Sequence, residues 1–327
     1  MLGFFRTNQL AANLFLIIYV LVLRTSGLFA TEIWEPSSTG MLSHVVYGYV
    51  GTHGWLPDLI ALVLVLLQAL LLNVLSARYR VSKEVSMFPG VFYILLMSTL
   101  PSFLHLSPVL MGNTFLIAAI SSLFNAYKKS SVAGSIFNVG FWIGMASLFY
   151  FSNFAFLLLA ILGLATLRNI RINEIFMIIV GAITPLFLTG TIFYLLDDFS
   201  NFYQTTFING FGFWNFEGVD HWSNYVPVVL FGILVLIVFG SGNIYFQKQS
   251  IRSQKNIQVL YYFIIISLLT VLIQKEVRVE QLLLLAIPLS LMLPLNFLEF
   301  RKREIGSGIH LGWLIGILFL QYRLLFM

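Results

Sequence analysis

The sequence predicts an all-α polytopic membrane protein, and three observations carry that expectation. Of its 327 residues, 59% are hydrophobic and only 9% charged, with a mean hydropathy of +0.92. A soluble domain carries about 25% charged residues, so this chain could not cover a surface in water. Apolar segments recur along the whole length, and no polar block reaches the size of a soluble domain. Residues 1–327 therefore read as a single transmembrane domain. Finally, the cations concentrate in every second connection between the apolar segments.

A hydrocarbon core of about 30 Å needs about 20 apolar helical residues. On that ruler the chain holds about eleven spans: 10–29, 57–76, 88–104, 108–126, 132–151, 154–167, 174–196, 226–246, 257–273, 282–298 and 308–325. The first apolar run, Leu10 to Leu23, is followed directly by Arg24 and Thr25 without a small-residue cleavage site, so it reads as an uncleaved span. Pro101 and Pro108 bracket Ser102–Ser107, so the third and fourth spans can form a broken hairpin that does not cross fully.

A cytoplasmic N-terminus places fourteen cations inside: Arg6, Arg78, Arg80, Lys83, Lys128, Lys129, Arg168, Arg171, Lys248, Arg252, Lys255, Arg301, Lys302 and Arg303. Only Arg24, Lys275, Arg278 and Arg323 fall outside. Acids divide the other way, with Glu84, Glu174, Glu299 and Glu304 inside and nine outside. This is the bias of cytoplasmic loops, and a wrong span count would break the alternation.

The outer face carries two long connections, at about 24–56 and 197–225. The first contains Glu32, Glu35, His44 and His53, and Asp58 opens the next span. Within it Met41–Val50 is short and amphipathic, suited to lie in the membrane interface. The second holds Asp197, Asp198, Glu217, Asp220 and His221 among Phe, Tyr and Trp. The ordinary reading of those aromatics is the interfacial belt.

Several function classes fall away. There is no cysteine, which excludes disulfides, thiolate catalysis and cysteine metal sites. The net charge of +5 does not point to nucleic acid. No phosphate loop, GxGxxG, HExxH or GxSxG motif is present. No histidine has a partner at ligand spacing; His105 reads as a hydrogen-bonded cap and His310 as interfacial. Gly140–Gly144 and Gly240–Gly242 read as close helix contacts. The mid-span polar residues are mild (Gln68, Asn73, Asn138 and Thr184), and no inverted repeat is visible. Both disfavour a lipid or solute transporter.

Chemistry at the outer boundary remains. Lys275, Glu276, Arg278 and Glu280 sit between two apolar runs too close together for a folded loop. Charges beside lipid are expensive unless paired, so the cluster is a candidate site, against the plainer reading of a polar hairpin tip. A membrane enzyme using a lipid-linked donor needs cations for the phosphate, a carboxylate base and an apolar groove. Arg278, Lys275 and Arg24 are candidates for the phosphate, and Glu32 or Glu35 for the base.

The segment Arg278–Leu293, with Pro288 near its middle, resembles a recurring element of the C-fold (GT-C) glycosyltransferases, which use polyprenyl-phosphate sugars. That family carries its catalytic acid in the first outer loop, where the matching positions are Glu32 and Glu35, and interfacial helices there are typical. This chain departs from it in three ways. It has Glu-x-x-Glu rather than an adjacent acidic pair, it lacks the C-terminal soluble domain of larger members, and Glu280–Gln281 replaces an aromatic stretch. Over Asn138–Pro185 the chain also looks like an uncharacterised family of Bacteroidota inner-membrane proteins.

The resemblance implies a multi-pass inner-membrane protein with a GT-C-like bundle. It would transfer a sugar from a polyprenyl phosphate to an acceptor at the periplasmic face. Its partners would be membrane lipid and the lipid-linked sugar; a divalent metal is compatible with its carboxylates, but no cofactor is demanded. The alternative is a non-catalytic subunit that anchors a larger envelope complex, with Asp197, Asp198, Glu217, Asp220 and His221 on its acceptor or docking loop.

Overall fold

Helices form where the apolar runs lie, because in hydrocarbon every backbone N–H and C=O must find its partner inside the protein. The computed structural model describes residues 10–28, 40–127, 132–210, 225–271, 278–299 and 303–323; among these there are helices and no strands. In chain order they are α1 (Leu10–Leu28), α2 (Met41–Val50), α3 (Trp55–Tyr79), α4 (Phe88–Met97), α5 (Pro108–Asn125), α6 (Ala133–Phe149) and α7 (Phe156–Leu167). They continue with α8 (Ile172–Leu195), α9 (Phe199–Tyr203), α10 (Tyr225–Tyr245), α11 (Ile251–Thr270), α12 (Leu283–Glu299) and α13 (Arg303–Arg323). Five are long and apolar enough to cross a membrane: α3, α5, α8 and the segments Val279–Leu298 and Glu304–Tyr322. Shorter apolar helices pack among them, and the molecule is a membrane protein.

The core is built around α4 and α12. Every residue of α4 is buried, and α12 is buried from Leu283 to Leu295. They pack on each other, with α3, α5, α10 and α11 around them. A polar thread ties the centre together. The Tyr93 hydroxyl donates to Gln68 Oε1 at 2.6 Å, Gln68 donates to Leu110 O and Thr114 Oγ1, and Asn113 donates to Leu283 O at 3.1 Å. Gln68 and Asn73 thus serve as internal partners. Asn138 is exposed, and Thr184 is half-buried and bonds back to Val180 O in its own helix.

The predicted span 88–104 is not one helix. The helix stops at Met97, after ten residues and about 15 Å. A buried turn follows at Pro101–Leu104, where the ring of Pro101 cannot continue a helical hydrogen-bond ladder. Its neighbour α5 has its full 18 residues, started by Pro108 and capped by Ser107 accepting from Leu110 N–H. Only one arm of the expected hairpin is therefore broken.

Side chains gather the connections at two ends. At one, Ser253 donates to Val81 O, Asn256 donates to Tyr79 O, and Arg252 lies over the rings of Tyr79 and Tyr127. This is the basic end. At the other, the N–H of Gly40 donates to Phe149 O, Tyr47 donates to Leu106 O, and Phe151 packs on Phe207. The helix α2 forms over the expected Met41–Val50, with Met41, Ser43 and Tyr47 buried and Tyr49 facing out.

Of the two expected glycine contacts, one pair forms a seam. A Cβ at Gly140 would strike Ile178 O, and one at Gly144 would strike Ala182 O; Gly181, on α8, answers against Phe137 O. Gly240 faces open space, and Gly242 meets only the Tyr261 hydroxyl. Gly140→Ala should therefore destabilise the protein by about 1–3 kcal/mol through overpacking of α6 on α8. Gly232→Ala, where nothing lies within 4 Å, should be neutral or slightly stabilising. Thermal unfolding of both variants in detergent checks this, and equal midpoints would remove the seam.

Candidate functional site

The site assembles at the end opposite the basic one, on three consecutive residues of the connection between α4 and α5. Leu104 O accepts from Arg24 Nη2 at 2.7 Å, His105 Nδ1 lies 2.9 Å from Asp58 Oδ1, and Leu106 O accepts from the Tyr47 hydroxyl at 2.8 Å. Each partner comes from a different element: α1, α3 and α2. The connection is held extended at His105, which turns its successive groups toward different neighbours.

Arg24 is the innermost member, only 2% exposed. Its Nη1 donates to Met97 O at 2.8 Å, and Nη2 also donates to Phe103 O at 3.0 Å. The guanidinium thereby caps Met97 O at the broken end of α4, where a cation also complements the helix dipole, and ties it to two carbonyls of the turn Pro101–Leu104. Gln321 of α13 donates to Ser98 O and accepts from the Ser26 hydroxyl, completing that cap. Asp58 lies within electrostatic reach of Arg24.

Asp58 and His105 are each 8% exposed. A carboxylate on Nδ1 orients the imidazole and leaves Nε2 as its basic nitrogen. On the other side of the connection, Tyr47 lies within electrostatic reach of Glu280, which is 4% exposed in the turn Val279–Leu282 that starts α12. Burial first, and the Glu280 carboxylate second, push the Tyr47 phenol well above its usual range, so it remains a donor. The arrangement can hold and move protons through an oriented imidazole, with two carboxylates and a phenol close by.

The expected site residues divide three ways. Arg24 joins the cluster, though as a clamp on backbone carbonyls. Arg278 is half-buried just before Val279–Leu282, two residues from Glu280. Glu32, Glu35, Lys275, Glu217, Asp220 and His221 lie outside the described residues. Asp197 and Asp198 build the turn from α8 into α9. Asp197 adopts a left-handed φ of 57°, and Asp198 accepts from Asn201 at 3.1 Å. Among the described residues no three His, Asp or Glu side chains group to hold a metal ion.

Reading the residues in order singled out neither Asp58–His105 nor Tyr47–Glu280 as a pair. The signal available was only that each is polar at the mouth of an apolar run. His310 differs from expectation: it is fully buried, stacked on Tyr19 with Nε2 3.1 Å from the Tyr19 hydroxyl. It packs α13 onto α1 rather than sitting at the interface.

Fold and site together define an all-helical membrane protein with a buried ionisable cluster at one end. The chain belongs to the family of unknown function DUF6427, whose model matches residues 39–325. No curated protein and no solved structure matches it.

Two predictions follow from the cluster. Arg24→Lys should cost at least about 2 kcal/mol, because one ammonium cannot reach all three carbonyls and a buried orphan costs about 1–3 kcal/mol. Unfolding of the purified variant tests this; native stability would mean the clamp is idle. Asp58→Ala and His105→Ala should be non-additive, with a coupling of about 0.5–3 kcal/mol in a double-mutant cycle. Additive losses would show the two side chains to be independent.

Proposed function

We propose that this protein is a membrane-embedded transferase working at the periplasmic boundary of a bacterial inner membrane, in a member of the Bacteroidota. It moves a sugar from a polyprenyl phosphate to an acceptor hydroxyl. In this reading the chain crosses eleven times with a cytoplasmic N-terminus in a GT-C-like bundle, and the basic end faces the cytoplasm. The observation that carries it is the buried cluster of Arg24, Asp58, His105, Tyr47 and Glu280. Ionisable groups collected at a lipid boundary are costly and are characteristic of sites.

The chemistry divides among residues of this chain. Arg278 and Lys275 neutralise the phosphate, with Arg24 fixing the connection behind them. The acceptor oxygen forms its bond to the anomeric carbon as the bond from that carbon to the phosphate oxygen breaks. The electron pair leaves with the polyprenyl phosphate, and the hydroxyl proton passes to a base. Glu32 or Glu35 is the base expected from the resemblance, and the Asp58-oriented His105 is the base that the geometry supports.

A second reading is favoured by the surface around α9. Tyr194, Leu195, Leu196, Phe199, Tyr203 and Ile208 are all exposed there. Such an aromatic rim suits an anchoring subunit of an envelope complex, with Asp197 and Asp198 beside the contact.

Purified protein in liposomes, offered a panel of polyprenyl-phosphate sugars, separates the two. The native protein should turn over, and Arg278→Ala and His105→Ala should each lose about a hundredfold or more, the usual weight of an acid–base or charge-stabilising group. Glu32→Ala and Glu35→Ala distinguish the loop carboxylates from His105 as the base. Unchanged rates in all variants would remove the site, and a native protein silent on every donor would leave the anchoring role.

A further inference from the structure

A groove at the basic end lies apart from the cluster described above. It has a volume of about 640 Å³ and runs between α1, α3 and residues 85–87. This is within the range of about 300–1,000 Å³ typical of sites for small ligands. Ile17, Leu70, Val74 and Val85 supply apolar walls, and Arg78 stands at one end. Leu70 and Arg78 are eight positions apart on α3, a rise of about 12 Å.

Two polar features set it apart from an ordinary lipid-facing furrow. The first is Asn73, 7% exposed and part of the lining. Its Oδ1 accepts the N–H of Gly90 at 2.7 Å, which fixes the amide, and its Nδ2 has no hydrogen-bond partner. That nitrogen is itself buried against Gly90 of α4, so the amide fixes the floor of the groove from behind. The second is a set of cations gathered around the Tyr79 ring beside Arg78, the one of them that lines the groove. The guanidinium groups of Arg78 and Arg252 lie 5.6 Å and 5.8 Å from the centre of the Tyr79 ring, and Arg252 and Lys255 lie 5.6 Å and 5.9 Å from that of Tyr127. Arg252 Nε is buried without a partner. Arg80 and Lys83 are exposed on the connection that follows α3, where the acid is Glu84.

We infer that this groove binds an anionic phospholipid. One acyl chain lies along α3, over the floor that Asn73 fixes, and the phosphate sits on Arg78 and the cations beside it. Apolar walls below and cations above match that one amphiphile in both chemistry and order.

Native mass spectrometry of the full-length protein, exchanged into equal phosphatidylglycerol and phosphatidylcholine, tests the assignment. The native protein should retain phosphatidylglycerol preferentially. Arg78→Gln, at an exposed position, should cut that preference about fivefold, the weight of one basic residue at an anionic surface. Val74→Trp should fill the groove and abolish retention while leaving the fold intact, because Val74 is 61% exposed. No preference in the native protein, or the same retention in Arg78→Gln, would overturn the inference. Thermal stabilisation by inorganic phosphate equal to that by phosphatidylglycerol would also overturn it, since the tail would then contribute nothing.

Discussion

A helix that stops inside a membrane leaves carbonyls with no water to receive them, and the architecture turns on how that debt is met. At the end of α4 the guanidinium of Arg24 takes Met97, Phe103 and Leu104 together, and Gln321 takes Ser98. Arginine suits this place because its planar fork presents several N–H groups in a fixed arrangement, whereas lysine offers a single point of charge. Once the cap is made, the segment that follows can run extended, and its Leu106 carbonyl and His105 side chain become the points on which α2 and α3 dock. The first, second, third and fourth apolar segments are thereby locked to the last helix by side chains.

Burying charge for stability alone would be a poor strategy. A buried ionic pair replaced by well-packed apolar residues is often no less stable. That the end of this bundle nevertheless holds Arg24, Asp58, His105 and Glu280 away from water argues for a use of their charge or protons. The clamp and the proton-handling pair are adjacent in sequence, at Leu104 and His105. Anything that shifts the broken helix must also shift the imidazole.

Helix positions were largely legible from hydropathy. The helix Met41–Val50 has the expected bounds, and α5 differs from the expected span by one residue. Hydropathy failed across 88–104 because the residues stay apolar through the break, while the decisive signals are Pro101 and a cation 77 residues earlier. The carbonyl clamp made by Arg24 was not legible for the same reason. A cation near the end of a span looks like a headgroup or phosphate ligand until the orphan carbonyls opposite it are known. Asp58 meeting His105, or Tyr47 meeting Glu280, depends on which segments neighbour each other, and residue periodicity carries no such information. Gly140 and Gly144 were readable as a pair because their spacing places both on one helix face. Gly181, their counterpart on α8, was not, because nothing in its own segment marks it.

The seam formed by those glycines has a mechanical consequence. With 24 residues α8 is about 36 Å long, more than the thickness of a typical hydrocarbon core, which leaves room for it to tilt. Little of its surface is buried, and its closest backbone approach to the body is at the glycine register on α6. It is therefore a lever with a fixed fulcrum. A thinner or thicker bilayer would rock it, and the motion would arrive at Phe202, which packs with Met41 of α2 and Leu148 of α6.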